Sequence, residues 1–248
     1  MDYLTYPFNM NKIYSTTGMD NINTTDLSIK PLSSPRDWIT YPYPIVYEYN
    51  SRGFRDKEWP TNLDDIVWCL GDSFTKGVGV PYEHTWPFIL QTNSKKRCIN
   101  LGIDGAANRL LLNIAKQIVY EHNPKYMIIM WSYKHRRYKD PWKFIHYEED
   151  EHNSKSVEEF RYCFNTVNDL LPNIYNTTVP VDVSDLTQLN NILHEYELLD
   201  FGRDGHHFDY LTAESIVDSI IKHFNFNTRH FYNVGILRFK SEKIKNTF

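Results

Sequence analysis

A short apolar strand that ends in a polar corner constrains the fold of this chain more than any other stretch. Residues 66–70 form an unbroken apolar run, without the polar alternation of a strand that has one face in water. Such a run is typical of a parallel strand covered on both faces. Gly71 breaks the run, and Asp72 and Ser73 follow it. Because open α/β folds bind ligands at the carboxyl ends of their strands, Ser73 is a candidate site residue, although Asp-Ser is also a common helix cap.

Strand and helix patterns alternate through the middle of the chain. Further buried strands are predicted at 97–101 and 126–131. Amphipathic helices are predicted at 84–93, 106–121, 156–171, 185–199 and 211–224. The stretch available for a fourth strand is 179–183, where Pro180 argues for an edge strand or none. This alternation predicts an α/β fold with a mostly parallel central sheet and right-handed crossovers.

The two ends of the chain lack this alternation. Residues 1–60 are predicted to form an irregular N-terminal arm and an edge segment, with a strand at 45–49. Residues 61–225 are predicted to form the α/β domain, in which the charged and aromatic stretch 132–155 is a loop excursion or lid. Residues 226–248 are predicted to be a surface tail.

Charge and cysteine content argue against several classes of function. The formal net charge is −4, with both signs mixed along the chain, so we expect no nucleic-acid partner. The three cysteines lack the spacing of metal ligands, and Cys69 and Cys98 lie in predicted strands, which predicts buried free thiols. The histidines are not at compact ligand spacings, and no phosphate-binding glycine loop is present. Neither a metal nor another cofactor is therefore predicted.

The N-terminal residues and the hydropathy pattern bear on localisation. Residues 1–7 lack a basic segment followed by an apolar stretch, and no apolar run approaches the length of a membrane span. We therefore expect a soluble protein without a membrane partner, made in the cytoplasm without a secretory signal. Release by lysis, or association with a particle, would leave no mark in such a sequence.

Three sequence blocks together indicate a family. Residues 71–75 read Gly-Asp-Ser-Phe-Thr, residues 100–108 contain a glycine that follows a predicted strand, and residues 204–207 read Asp-Gly-His-His. In this order, the blocks resemble the opening, second and closing blocks of the SGNH (GDSL) hydrolase family, over roughly residues 66–222. The resemblance implies that residues 61–225 are a hydrolase domain with a flavodoxin-like three-layer sandwich.

The resemblance also implies catalytic roles. A serine hydroxyl becomes a nucleophile when an imidazole accepts its proton, and a carboxylate then orients that imidazole. By the match to the family motif, Ser73 would be the nucleophile, His207 the base and Asp204 the carboxylate. The adjacent His206 is a competing candidate for the base, and the register of the motif selects His207.

The oxyanion of the tetrahedral intermediate needs hydrogen-bond donors. In the family these are the backbone N–H of the serine, the backbone N–H of a second-block glycine, and an asparagine side chain after the third strand. Ser73 supplies the first in this chain. For the glycine, Gly105 aligns slightly better than Gly102.

The third block is where this sequence departs from the family. Ser132-Tyr133-Lys134 follows the third strand, and the Gly-x-Asn-Asp of the family is absent. One of these three residues would have to replace the missing asparagine, and Asn108 is a nearby alternative. We expect Ser132, or a side chain within two residues of it, to point into the cleft of Ser73, with Asn108 bordering that cleft.

The expected activity follows from the resemblance and from a heavy aromatic load of 6 Trp, 18 Tyr and 14 Phe. Aromatic rings can stack on sugars. Residues 50–55 also resemble a segment of some polysaccharide-associated members, although Arg52 and Arg55 would otherwise be solvated surface residues. The favoured function is a serine esterase acting on small acyl esters, chiefly acetyl esters, with an acylated glycan as substrate. The alternatives are a catalytically impaired glycan-binding or structural, particle-associated protein, and an O-acyltransferase that uses the same triad.

Overall fold

The strands and helices of the chain are taken from a computed structural model, which describes residues 1–16, 45–140, 143–146, 154–171, 173–179, 194, 196, 198–202 and 206–226. The strands are β1 (Ile13–Thr16), β2 (Ile45–Glu48), β3 (Val67–Gly71), β4 (Cys98–Gly102), β5 (Tyr126–Trp131), β6 (Arg136–Asp140), β7 (Lys143–His146) and β8 (Ile174–Thr178). The helices are α1 (Ser73–Lys76), α2 (Trp86–Ser94), α3 (Asn108–His122), α4 (Ser154–Leu170) and α5 (Tyr210–Phe224), with a 3₁₀ turn at Tyr82–His84.

The core of the fold is a four-stranded parallel sheet in the order β4-β3-β5-β8. This order matches the first four positions of the flavodoxin-like 2-1-3-4-5 arrangement. Strand β3 is central, and all of its residues are buried, as its continuous apolar run predicts. The predicted α/β fold with a mostly parallel sheet is therefore confirmed.

Helices cover both faces of the sheet, which gives three layers. On one face, α3 and α4 pack on alternate strand residues that include Trp68, Leu101 and Ile129. On the other face, α2 and α5 pack on the intervening residues, such as Cys69 and Ile128. Each core side chain of this size contributes about 1.5–3 kcal/mol through burial. The two apolar layers hold the carboxyl ends of the strands in a fixed position.

The fourth strand corrects a prediction. It lies at Ile174–Thr178, before the predicted stretch 179–183, of which only Val179 is among the described residues. The hydropathy pattern does not predict this strand, because three of its residues are polar although they are buried: Asn176, Thr177 and Thr178. Asn176 is stabilised there because its Oδ1 accepts a hydrogen bond from Trp131 Nε1 at 2.9 Å, and buried polar groups require such partners.

The helix predicted at 185–199 falls largely outside the described residues. The described residues of that stretch, 194, 196, 198 and 199, are not helical. His194 instead lies along β8, where its N–H donates to the Asn176 carbonyl at 2.8 Å.

The excursion and the arm both contain regular structure. Within the predicted excursion 132–155, β6 and β7 form an antiparallel hairpin that the sequence did not predict. In the arm, β1 pairs antiparallel with β2, and Leu4 is buried in the core cluster beside Phe54. Residues 17–44, the rest of the arm, lie outside the described ranges, as does the tail from residue 227. The proposed domain limits at residues 60 and 225 stay a prediction.

Two further expectations concern burial and hydropathy. Cys69, Cys98 and Cys163 are all free and buried, which confirms the prediction of buried free thiols. Among the described residues, no helix combines the length and the apolar composition that crossing a membrane requires.

Candidate active site

The serine turn, residues 71–77, carries Ser73 from the end of β3 into α1 at the carboxyl edge of the sheet. Asp72 caps the helix, because its Oδ1 accepts a hydrogen bond from the Phe74 N–H at 3.0 Å. The turn is tight: a Cβ at Gly71 would lie 2.0 Å from Thr75 Oγ1, and a Cβ at Gly102 would lie 2.1 Å from the Lys76 backbone nitrogen. Glycine at both positions therefore lets α1 lie directly against the ends of β3 and β4.

His207 lies against Ser73. Its Nε2 is 2.7 Å from Ser73 Oγ, a strong hydrogen-bonding distance, and the two side chains come from positions 134 residues apart. Ser73 is 2% exposed and His207 is 8% exposed, so the contact is shielded from water. The His207 carbonyl accepts a hydrogen bond from the Gly202 N–H at 2.7 Å, which joins these two residues shortly before α5.

The other two residues of the closing block are placed differently. His206 is exposed, and its Nε2 lies 3.4 Å from Tyr133 Oη, so the two histidines have distinct partners. His207, as the motif register indicates, is the histidine whose ring nitrogen bonds Ser73 Oγ. Asp204 lies outside the described residues, and its role as the carboxylate partner stays a prediction.

Asp72 is the centre of a buried charged network beside Ser73. Its carboxylate is fully buried, and Oδ2 accepts hydrogen bonds from Ser132 Oγ at 2.7 Å and from Arg136 Nη1 at 2.6 Å. Arg136 Nη1 also donates to Ser132 Oγ at 2.9 Å, so the three side chains form a closed triangle. Buried charges need such paired partners.

This network changes the expectation for Ser132. The residue lies immediately after β5, near the serine turn, as alignment predicted. Its one hydroxyl proton is donated to the carboxylate of Asp72, the residue before Ser73. The Ser132 hydroxyl therefore has no proton left to donate to an oxyanion. Arg136 was missed by the sequence analysis, because its charged neighbourhood indicated a solvated loop and no local pattern separates it from Arg137.

Asn108, the first residue of α3, holds the backbone of Ser132. Its Oδ1 accepts a hydrogen bond from the Ser132 N–H at 2.8 Å, and its Nδ2 donates to the Ser132 carbonyl at 3.0 Å. The side chain is buried. Both functional groups of the carboxamide are therefore used in fixing the end of β5, in place of the predicted position bordering an open cleft.

The two candidate glycines of the second block differ in their N–H groups. The Gly102 N–H donates to Asn100 Oδ1 at 2.9 Å and is already engaged. Gly105 lies in the turn between β4 and α3 with φ of 69°, a conformation that favours glycine. Of the two, Gly105 is the better source of a backbone donor.

Aromatic rings surround the pair of Ser73 and His207. The Phe74 ring centroid lies 4.5 Å from that of His207 and 6.3 Å from that of Tyr133. Tyr133 and the exposed His206 are nearly parallel, with 6.4 Å between centroids and 20° between planes. We call these two residues the aromatic pair. Tyr196 has a pKa that burial raises well above its ordinary value. The charge of Asp72 is the second cause of this rise in pKa, so the Tyr196 phenol stays neutral.

Arg55 is a further correction, because it is 1% exposed and not solvated. It packs over the Tyr47 ring at 4.0 Å, and its guanidinium donates to the carbonyls of Gly77 and Val80. It thereby ties the arm to the loop that follows α1. Arg55 is thus part of the support of the serine turn.

Comparison with known proteins gives structural neighbours only. No protein-family model matches the chain, and no curated protein matches it either. A solved structure assigned to the G-D-S-L family of lipolytic proteins, from Desulfitobacterium hafniense DCB-2, is 18% identical, with 62% of this chain and 98% of that chain covered and a TM-score of 0.40. A structure assigned as a GDSL-like lipase from Bacteroides ovatus ATCC 8483 is 13% identical over 76% of this chain and 59% of that chain, with a TM-score of 0.44.

A third neighbour is a family 3 carbohydrate esterase from Clostridium thermocellum. It is 12% identical over 63% of this chain and 93% of that chain, with a TM-score of 0.37. The chain is thus similar to solved SGNH and GDSL hydrolases, in line with its sequence motifs. Since the TM-scores of these three neighbours are below 0.5, the similarity carries no argument about function, which depends on the residues of this chain.

Proposed function

We propose that this protein is a serine esterase of the SGNH type. The observation that carries the proposal is the 2.7 Å contact between His207 Nε2 and Ser73 Oγ, buried at the carboxyl end of the central strand. An imidazole at this distance can accept the hydroxyl proton as the oxygen attacks an ester carbonyl. Ligands of doubly wound α/β folds bind at this edge of the sheet, which agrees with the proposed role.

The reaction proceeds in two halves. Ser73 Oγ bonds to the carbonyl carbon while His207 takes its proton, and the tetrahedral intermediate collapses with release of the alcohol, which receives that proton. Water then attacks the acyl-serine, with His207 again as base, and the carboxylic acid leaves. By the family motif, Asp204 orients His207 and stabilises its cation.

Two backbone groups are proposed to bind the oxyanion. The N–H of Ser73 begins α1, where the helix leaves its first N–H groups without partners inside the helix. The N–H of Gly105 is the second donor, since that of Gly102 is already bonded to Asn100. Each such donor is worth roughly a hundredfold or more in rate.

The test of catalysis compares the wild type with Ser73→Ala and His207→Ala in the hydrolysis of p-nitrophenyl acetate. We expect each substitution to lower kcat by roughly a thousandfold or more, since the nucleophile and its base act as a unit. A fluorophosphonate probe should label the wild type at Ser73 and should not label Ser73→Ala. Equal hydrolysis by wild type and Ser73→Ala would refute the proposal.

We propose small acyl esters of a carbohydrate, chiefly acetyl esters, as the substrates. The aromatic pair supports this choice, because a sugar ring can stack against exposed aromatic surface beside the nucleophile. Tyr133→Ala should raise KM for an acetylated oligosaccharide by roughly tenfold and leave KM for p-nitrophenyl acetate nearly unchanged. Tyr162→Ala is the matched control, since that tyrosine is exposed on α4. Equal effects on both substrates would contradict the carbohydrate assignment.

A second candidate function is a glycan-binding protein with an impaired esterase site. The observation that favours it is that Ser132 and Asn108, two of the four candidates for the missing third donor, are both engaged in other hydrogen bonds. This candidate predicts no fluorophosphonate labelling together with binding of an acetylated oligosaccharide. Transfer of the acyl group to a sugar hydroxyl would appear as an acylated product when sugar acceptors are added.

A further inference from the structure

The buried carboxylate of Asp72 is adjacent in sequence to the proposed nucleophile and has one charged partner among the described residues, Arg136. Their ion pair is 2.6 Å long, and the Arg136 side chain is 10% exposed. From this geometry we infer that Arg136 is a positioning residue, which acts through Asp72 to hold and neutralise the serine turn. The inference rests on the proposed esterase function.

The first part of this role is mechanical. Asp72 Oδ1 caps α1 through the Phe74 N–H, and Oδ2 is held by Arg136 and Ser132. The Ser132 backbone is held in turn by Asn108. A chain of hydrogen bonds through Asp72 thus connects Arg136, the first residue of β6, to the peptide groups around Ser73.

The second part of the role is electrostatic. Negative charge develops on the substrate oxygen beside Ser73 in the transition state, and a buried carboxylate one residue away opposes it. A neighbouring guanidinium cancels most of that field, since charges interact strongly where water is excluded. Without Arg136, the carboxylate would be both buried and unpaired, and it would repel the oxyanion.

Arg136 makes both of these side-chain hydrogen bonds through a single nitrogen, and its guanidinium also packs over the Tyr133 ring at 4.7 Å. Nη1 donates to Asp72 and Ser132, while Nε is buried and has no partner within the described part of the chain. The ion pair is therefore not bidentate, although a lysine would lose the packing on the Tyr133 ring. A lysine ammonium at this position can supply the same charge and some of the same hydrogen bonds.

The test measures kcat and KM on p-nitrophenyl acetate for Arg136→Gln, Arg136→Lys and the double variant Asp72→Asn/Arg136→Gln. We expect Arg136→Gln to lower kcat by roughly 10- to 100-fold with KM changed by less than about twofold, because the interaction matters chiefly in the transition state. Arg136→Lys should retain more activity than Arg136→Gln. The double variant should also recover activity over Arg136→Gln, since it removes the unpaired carboxylate.

Arg97→Gln is the matched control. Arg97 forms a 2.7 Å ion pair with the buried Asp56 just before β4, at the opposite end of the sheet from Ser73. This variant should lose stability in thermal unfolding while keeping kcat within about twofold of the wild type, because the broken pair is remote from the reacting atoms. If Arg97→Gln lowered kcat as much as Arg136→Gln does, lost stability alone would explain both effects, and the inference would be overturned.

The remaining outcomes are also decisive. A folded Arg136→Gln protein with wild-type kcat, an Arg136→Lys protein no more active than Arg136→Gln, or a double variant no better than Arg136→Gln would overturn the role of Arg136 while leaving the esterase proposal intact. A wild type that neither hydrolyses the ester nor reacts with fluorophosphonate would remove the esterase function itself, and this inference with it.

Discussion

The substitution Asn108→Ala tests how the end of β5 is held. The Asn108 carboxamide pairs with both backbone groups of Ser132, at 2.8 and 3.0 Å, and all of these groups are buried. Leaving a buried N–H or carbonyl without a partner costs roughly 1–3 kcal/mol each. Water that enters the vacated space offsets part of this cost. We therefore expect Asn108→Ala to lower the free energy of unfolding by about 2–4 kcal/mol.

The assay is urea unfolding followed by circular dichroism, in which an unchanged m value shows that the midpoint shift reports stability. Asn113→Ala on the same helix is the matched control. Within the described ranges, Asn113 Nδ2 makes one long contact, 3.4 Å to Tyr3 Oη, and alanine is the better helix former, so the change should be within about 0.5 kcal/mol. A loss below about 1 kcal/mol for Asn108→Ala, or equal losses for both variants, would refute the assigned role.

Three further predictions concern packing, thiols and pH. Gly102→Ala should cost roughly 3 kcal/mol or more in thermal or urea unfolding, because its Cβ would lie 2.1 Å from the α1 backbone; a fully stable variant would contradict this packing. Burial raises the pKa of Cys163 to about 12, so a thiol reagent should modify it only after denaturant is added, and rapid reaction of the native protein would be inconsistent with that burial. Burial lowers the pKa of His194, with the charge of His223 adding to it, and burial alone lowers that of His223. As pH falls, the unfolded chain therefore takes up protons at a higher pH than the folded chain does. The contribution of these histidines to the free energy of unfolding should be present above the ordinary histidine pKa of 6.5 and be lost at lower pH. His223→Gln should reduce the fall in stability below about pH 6.5, and an unchanged fall would contradict the assignment.

The parts of the fold that sequence predicts well are those in which burial and periodicity agree. Residues 66–70 and 126–131 are apolar on both faces, and both are buried strands of the parallel sheet. The helix predicted at 106–121 is observed at Asn108–His122, because its apolar residues repeat with the helical period and Pro124 prevents its continuation. The contact between Ser73 and His207 was also anticipated, through a motif and not through any local pattern.

The parts that sequence did not predict depend on partners far away in the chain. Strand β8 contains polar residues that are buried only because groups on β5 and α4 satisfy them, such as Trp131 Nε1 and Asn168 Oδ1. In the sequence, Arg136 is one of several charged residues in its segment. Its burial follows from its ion pair with Asp72, which the structure shows and the sequence does not. Hydrophobic periodicity reports which face of an element is covered, and it carries no information on which buried polar groups will pair.

The same pairing bears on how the serine turn could work without the third-block asparagine. Donors at an oxyanion site are effective because they are held in place before the charge develops and need no reorganisation. Here Asn108 fixes the backbone after β5, Ser132 and Arg136 fix Asp72, and Asp72 fixes the first turn of α1. Side chains that would otherwise be free to donate are thus used to hold the serine turn, which carries the proposed Ser73 N–H donor, and to pair the charge of Asp72. We propose that this preorganisation of the Ser73 N–H offsets part of the loss of the direct donor, which is why a substitution of Arg136, a residue that would not touch the substrate, is expected to lower kcat.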